Sequence, residues 1–168
     1  MRNSQRPFRF AMFFLLVSLW NGAWASADTP PVARPSRIAV MLAPDAPALD
    51  ERVANVLRDR IRMDRRSPGV TVDIVRGLTP PPGAFRVFLG HAGTPQMDDL
   101  CKKYAIVLQV KQRIAPESFA LKTVTLDDGA QALIAVGADG RGLLYSVGEI
   151  LRRLTYQPDA VSVPNLDM

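Results

Sequence analysis

Few side chains in this sequence could carry out chemistry, because its 168 residues include one cysteine, Cys101, and one histidine, His91. A thiol becomes a nucleophile when a neighbouring base or cation lowers its pKa, and no spacing in the sequence places His91 beside Cys101. One cysteine cannot form a disulfide within the chain, and one His with one Cys cannot supply the usual ligands of a metal centre. We expect no metal and no cofactor, with Cys101 partly buried on a short helix and His91 exposed in a loop.

Neighbouring carboxylates are the second set of candidates. Asp127 and Asp128 could act as an acid–base pair if different environments separated their pKa values. They precede Gly129 between two β-prone runs, which is the pattern of a solvated hairpin tip, so we favour a turn. Glu117 together with either aspartate is the remaining hydrolase hypothesis, but we expect Glu117 to serve the start of a strand.

Two further motifs could bind anions. Five arginines within residues 58–66 could contact phosphate or an acidic sugar, but Asp59 and Asp64 interrupt them, which favours a solvated helix face. The glycines of residues 137–142 follow G-x-x-G-x-G, which is neither of the usual nucleotide-binding spacings. We predict that this segment joins a strand to a helix and that Asp139 caps the helix.

The elements that position these residues follow from hydrophobic periodicity. Strands are predicted at residues 38–42, 70–75 and 85–89, a short helix at 96–104, and a hairpin from strands 119–126 and 131–136. Residues 105–108 fit either a longer helix or a strand. Two amphipathic helices should bury the stripes Leu49, Val53, Val56, Leu57, Ile61 and Leu143, Val147, Ile150, Leu151, Leu154.

The amino-terminal residues have the pattern of a secretory signal, with a cationic start, an apolar run at 10–20 and small residues before a predicted cleavage site after Ala27. Eleven apolar residues fall short of the roughly 20 needed to span a bilayer. Without residues 1–27 the chain holds 18 basic and 16 acidic side chains. We therefore predict an exported protein, periplasmic or extracellular, with no nucleic-acid partner and no membrane contact after signal removal. Residues 28–36 are a predicted linker.

Residues 115–154 resemble the small N-terminal domain shared by two glycoside hydrolase families, the α-glucuronidases of family 67 and the β-N-acetylhexosaminidases of family 20. That domain carries P-E-G-[YF]-x-L, a hairpin, I-x-G-x-D-x-R-G-x-x-Y-G and a helix ending in leucines. Serine replaces glycine at Ser118 and Ser146. The matching positions are Pro116, Glu117, Phe119, Leu121, Ile134, Gly137, Asp139, Arg141, Gly142 and Tyr145.

The resemblance implies an α+β fold in residues 37–158, a mixed sheet with helices packed mainly on one face, similar to a zincin without its metal site. In the resembled enzymes the acid and base lie in a following (β/α)8 barrel of roughly 250 residues, so residues 159–168 would lead into that domain. Arg141 could clamp a carboxylate and Tyr145 could stack on a sugar. We favour structural roles for these signature residues.

Three hypotheses of function follow. The first is a non-catalytic N-terminal accessory module of an exported glycoside hydrolase, present without its catalytic barrel and resting on such a barrel in cis or in trans. The second is a stand-alone polysaccharide-binding module, and the third is the independent hydrolase described above. We favour the first hypothesis.

Overall fold

The computed structural model describes residues 33–77, 79–110 and 113–168, so the predicted signal segment and most of the predicted linker lie outside the described residues. Helices and strands alternate along most of the chain. The elements are β1 (Arg37–Leu42), α1 (Ala48–Met63), β2 (Thr71–Arg76), β3 (Phe85–His91), α2 (Pro95–Lys103), β4 (Gln109–Val110), β5 (Arg113–Ile114), β6 (Phe119–Thr125), β7 (Gln131–Gly137), α3 (Gly140–Arg153), β8 (Thr155–Gln157) and β9 (Ala160–Ser162).

The main sheet has five strands in the order β2-β1-β3-β7-β6. The first four run parallel, and β6 pairs antiparallel with β7 through the predicted hairpin. The predicted fold class is confirmed: a mixed sheet with helices mainly on one face. Parallel neighbours need crossover connections, which α1 supplies between β1 and β2.

Two cores lie on opposite faces of the sheet. On one face α1 and α3 lie side by side and bury Val53, Leu57, Leu143 and Val147. On the other face α2 packs through Met97 against the side chains that β1, β3, β6 and β7 point to that face. Alternation along each strand sends successive side chains to the two faces, which gives one sheet two cores.

The predicted stripe of α1 is partly wrong. Leu49 and Val56 are exposed, whereas Asp50 is buried with Val53 and Leu57. The buried positions 50, 53, 54, 57 and 61 still follow helical spacing, but the helix is rotated so that a carboxylate takes a core position. Residues 105–108 form neither a helix nor a strand, because Ala105 has φ 50° and ends the turn after α2.

The first described residues pair with the C-terminal segment, and the last residues of that segment pair with β6. Ala33 pairs with Val163, and the peptide N–H of Thr123 donates to Leu166. Leu121 and Met168 exchange two backbone hydrogen bonds, so the last residues run along the outer edge of β6. This segment satisfies an edge that would otherwise present unpaired peptide groups.

Several of the candidate groups lie at one end of the sheet, where the strands end. The parallel strands β1, β3 and β7 end there, the helices α1, α2 and α3 begin there, and β6 starts opposite Gly137. The tip of the β6–β7 hairpin lies at the opposite end of the strands. Glu117 and the aspartates of that tip are therefore separated by the length of β6, about 20 Å for seven extended residues.

Candidate functional site

Asp139 organises the junction of β7 and α3. One carboxylate oxygen accepts from the peptide N–H of Arg141 at 3.0 Å and of Gly142 at 2.9 Å, and the other accepts from the N–H of Glu117 at 3.1 Å. These hydrogen bonds lower the pKa of Asp139, and the bond from Gly142 has the largest effect. The predicted cap is confirmed, and it also ties the helix to the turn before β6.

Glu117 and Arg141 form a surface ion pair above that cap. Arg141 Nη1 lies 2.7 Å from Glu117 Oε1, and this hydrogen bond raises the pKa of the guanidinium. Glu117 itself has φ 63°, a conformation uncommon for a residue with a side chain. Its carboxylate is paired here, and the length of β6, about 20 Å, separates it from the hairpin tip. The structure therefore does not bring Glu117 together with Asp127 or Asp128, as the hydrolase hypothesis requires.

Two signature glycines permit close contact between backbones. A Cβ at Gly142 would lie 2.2 Å from the carbonyl oxygen of Ser118, and one at Gly137 would lie 2.2 Å from the amide nitrogen of Leu143. Pro116 lies in the turn closed by the N–H of Ser118 donating to Ala115. We call Glu117, Asp139, Arg141 and Gly142 the signature cluster, and its polar groups bind mainly one another.

Tyr145 lies one helical turn after Arg141 and is half exposed. Its neighbour Leu144 is also exposed, and Leu49 of α1 lies against the first turn of α3, where a Cβ at Gly140 would meet its Cδ2 at 2.1 Å. Leu49, Leu144 and Tyr145 thus form an apolar patch at the beginnings of α1 and α3, beside the signature cluster. We call it the α1–α3 patch.

His91 has a partner that the sequence did not reveal. Its Nδ1 lies 3.1 Å from both carboxylate oxygens of Asp50, which is 2% exposed. The expectation of an exposed loop residue is wrong, because His91 ends β3 and is held against α1. The sequence feature that could have revealed this pair is the position of Asp50, an acidic residue in helical register with the buried apolar residues of α1.

The His91–Asp50 pair resembles half of a proton relay, but its surroundings favour a structural tie. An ionised carboxylate only accepts hydrogen bonds, so this hydrogen bond forms in the tautomer that carries the hydrogen on Nδ1. The cavity beside Asp50 encloses about 10 Å³, which leaves room for no substrate. Thr94 donates its hydroxyl to the carbonyl of His91 and so does not serve as its nucleophile.

A larger concavity lies on the opposite face, between α2, the sheet and the hairpin tip, and encloses about 580 Å³. We call it the α2 groove. Its apolar lining comes from the sheet, α2 and the hairpin, and its polar lining from β3, α2 and the hairpin. The lining residues are Pro44, Arg86, Phe88, Gln96, Asp99, Leu100, Lys103, Tyr104, Leu126, Asp127 and Asp128.

Ion pairs hold the outer wall of the α2 groove. Arg86 lies 2.6 Å from Asp128, and Lys103 of α2 binds Asp127, so the predicted solvated tip is confirmed but joined to α2. The hydrogen bond from Arg86 lowers the pKa of Asp128, and that from Lys103 to Asp127 raises the pKa of the ammonium group. These pairs keep the hairpin beside the helix.

Two polar atoms of groove-lining residues lack partners. Arg86 Nε and Gln96 Oε1 are both buried and make no hydrogen bond to any described residue. Most buried polar atoms in proteins have a partner, so each exception needs an explanation. This is the feature of the chain that motif analysis missed, because neither residue belongs to a motif.

The remaining candidates behave as surface or structural residues. The arginines near the end of α1 are mostly exposed, and the pairing of Arg66 with Asp64 lowers the pKa of that carboxyl to about 2. Cys101 is a partly buried residue of α2, as predicted, and burial raises the pKa of its thiol. Within residues 33–77, 79–110 and 113–168, no three His, Cys, Asp or Glu side chains are grouped to hold a metal ion, and no helix could span a membrane.

Comparison with known proteins reveals similarity at the level of structure. No protein-family model and no curated protein matches the chain. Its structure is similar to part of a 4-O-methyl-α-glucuronidase of glycoside hydrolase family 115 with specificity for decorated arabinogalactans, with a TM-score of 0.47 and 16% identity. The match covers 71% of this chain and 14% of that enzyme.

Proposed function

We propose that the chain is a non-catalytic N-terminal accessory module of an exported carbohydrate-degrading glycoside hydrolase, of the α-glucuronidase or β-hexosaminidase type. Its partner is a (β/α)8 catalytic domain, in cis or in trans, and its place of action is the periplasm or the cell exterior. The signature residues listed above support this assignment. Nucleic acid and, after signal removal, membrane are not among the proposed partners.

The observation that carries the proposal is the state of the acidic groups in the signature cluster. The carboxylate of Asp139 accepts hydrogen bonds from three backbone N–H groups, and Glu117 forms an ion pair with Arg141. A general acid must be free to exchange a proton with substrate, and its partner carboxylate must lie within about 10 Å. The motif that carries the resemblance is thus used to hold α3 against the turn before β6.

The α1–α3 patch supports the second part of the proposal, a partner domain. Leu49, Leu144 and Tyr145 are each about half exposed, and all three lie in the first turns of α1 and α3. Contiguous exposed apolar side chains rimmed by charged groups, here Arg141 and Glu117, mark interaction surfaces. The catalytic domain would cover this patch.

The proposal is tested by mixing the chain with the catalytic barrel of a family 67 or family 20 enzyme expressed without its own N-terminal domain. We expect a one-to-one complex in light scattering and slower thermal inactivation of the barrel. Leu144→Asp should abolish both effects, because it places a charge among the apolar side chains of the patch. The chain alone should release no p-nitrophenol from aryl glucuronides or N-acetylhexosaminides.

Val107→Asp is the matched control, because Val107 is an exposed apolar residue outside the patch, after α2. That variant should bind the barrel like the parent chain. The proposal fails if neither barrel forms a complex, if both variants lose binding equally, or if homogeneous chain hydrolyses an aryl glycoside.

The α2 groove favours a second candidate function, carbohydrate binding by the chain itself. Tyr145, named above for this role, lies on the open surface of α3, whereas Tyr104 lines a concavity together with polar side chains. A concave apolar site with a few polar groups is the usual form of a small-ligand site. Sugar binding by the chain in the absence of any barrel would distinguish this candidate from the first.

A further inference from the structure

We propose that the α2 groove binds one uncharged sugar unit, with Tyr104 and Phe88 against its apolar face, Arg86 Nε donating to a hydroxyl and Gln96 Oε1 accepting from another. This inference deepens the second candidate function and rests on it. It does not depend on the α1–α3 patch or on a catalytic partner.

The size of the α2 groove fits such a ligand. Its volume of about 580 Å³ lies within the range of roughly 300–1,000 Å³ that is usual for small-molecule sites. The floor is Phe88 of β3, and Leu100, Tyr104 and Leu126 are the remaining apolar side chains of the lining. The C–H face of a sugar ring is apolar, and aromatic and aliphatic side chains pack against such faces.

The unpartnered atoms give the α2 groove its hydrogen-bonding requirement. Arg86 Nε is a donor and Gln96 Oε1 is an acceptor, and both lack a partner among the described residues. A buried polar atom that loses water without gaining a hydrogen bond is unfavourable. A hydroxyl can both donate and accept, so the hydroxyls of one sugar supply both kinds of partner.

The charges around the α2 groove select against an acidic ligand. Arg86 and Lys103 are the two cationic side chains of the lining, and each is paired with a hairpin carboxylate. Asp99 adds a third carboxylate to the lining, so the formal charge of these five groups is negative. A uronate or phosphate would meet neutralised cations and a surplus of anions. A neutral hexose or pentose meets no such repulsion.

The experiment is titration calorimetry of the chain with galactose, xylose, N-acetylglucosamine and glucuronate. We expect at least one neutral sugar to bind and glucuronate to bind more weakly than that sugar. Gln96→Leu removes the acceptor at similar volume, and Arg86→Lys keeps a cation for Asp128 but lacks the Nε–H group. Each should weaken binding about tenfold, the effect of losing one hydrogen bond.

The matched control is Val107→Ala, which truncates an exposed apolar side chain outside both the groove and the α1–α3 patch and should leave affinity unchanged, whereas Tyr104→Ala should weaken it. Circular dichroism and a thermal melt establish that each variant is folded. Three results overturn the proposal: no neutral sugar binds, glucuronate binds most tightly, or free p-nitrophenol binds as well as p-nitrophenyl galactoside. Gln96→Leu should still bind the catalytic barrel, so failure of this inference is separable from failure of the accessory-module proposal.

Discussion

The signature cluster and the α2 groove use polar residues in opposite ways. In the cluster, the carboxylate of Asp139 accepts three backbone hydrogen bonds and the side chain of Arg141 meets Glu117. In the groove, Arg86 Nε and Gln96 Oε1 are buried without a partner among the described residues. The cluster is therefore complete as it stands, whereas the groove lacks two hydrogen bonds.

The region richest in sequence motifs is therefore not the region whose polar groups are available to a ligand. The cluster contains nearly all the recognisable sequence pattern, and its residues bring α3, β7 and the turn before β6 together. Apart from the hairpin aspartates, the α2 groove contains no sequence motif, because its residues come mainly from β3, α2 and the hairpin tip. If the contrast holds, substitutions in the cluster should reduce stability and substitutions in the groove should reduce binding instead.

The largest expected effect is at Gly142. Gly142→Ala should lower the free energy of unfolding by about 3 kcal/mol, because its Cβ would lie 2.2 Å from the backbone oxygen of Ser118 and the two backbones would have to separate. Urea denaturation measures this effect. Gly148→Ala in the same helix is the control, since nothing lies within 4 Å of its Cβ position.

Gly148→Ala should raise the free energy of unfolding by about 0.5–1 kcal/mol, the usual gain from replacing glycine inside a helix. Equal losses from both alanine variants would mean that Gly142 contributes only helix propensity. The close contact would then not explain why glycine occupies that signature position.

An intermediate effect of opposite sign is expected in the α2 groove. Gln96→Leu should raise the free energy of unfolding by about 1 kcal/mol, because it removes a buried acceptor that has no partner among the described residues. The same substitution should weaken sugar binding, a trade of function for stability. A loss of stability in Gln96→Leu would show that the amide is satisfied in solution and would remove the contrast with the cluster.

The smallest effect is the pH dependence due to Asp139. Its pKa in the folded chain is lowered from 3.8, so its contribution to stability is present above that value and is lost as the pH falls through the lowered pKa. The difference in urea midpoint between the parent chain and Asp139→Ala should therefore be constant near neutrality and should decrease towards zero below pH 3.8.

Asp45→Ala serves as the control, because Asp45 is an exposed aspartate in the β1–α1 loop. The midpoint difference between that variant and the parent chain should be small at every pH. If the midpoint difference between Asp139→Ala and the parent chain persists in acid, the carboxylate charge does not contribute to the cap.

Most of the fold could be predicted because periodicity is a local property. The alternation in β2, the Asp-Gly turn before β7 and the apolar spacing of α3 each specify an element over a few residues. The rotation of α1 could not be predicted in this way. Leu49 and Asp50 are adjacent, and which of them faces the core depends on where His91 lies, 41 residues further on.

The candidate sites were predictable to different degrees for the same reason. Asp139 caps the helix that begins immediately after it, so its role follows from sequence proximity. The partner of His91 and the lining of the α2 groove come from residues far apart in the chain. The pairing of Arg86 with Asp128 depends on the register of β3 beside β7, which no short window contains.

The amino-acid sequence alone determined the three helices and the five strands of the main sheet, the hairpin, the cap at Asp139 and the scarcity of reactive groups, because each depends on near neighbours or on composition. Tertiary structure decided that Asp50 is buried against His91, that Glu117 lies far from the hairpin aspartates, and that Arg86 and Gln96 line one groove. These facts depend on strand order and helix placement, which bring distant residues together through the burial of apolar surface over the whole domain.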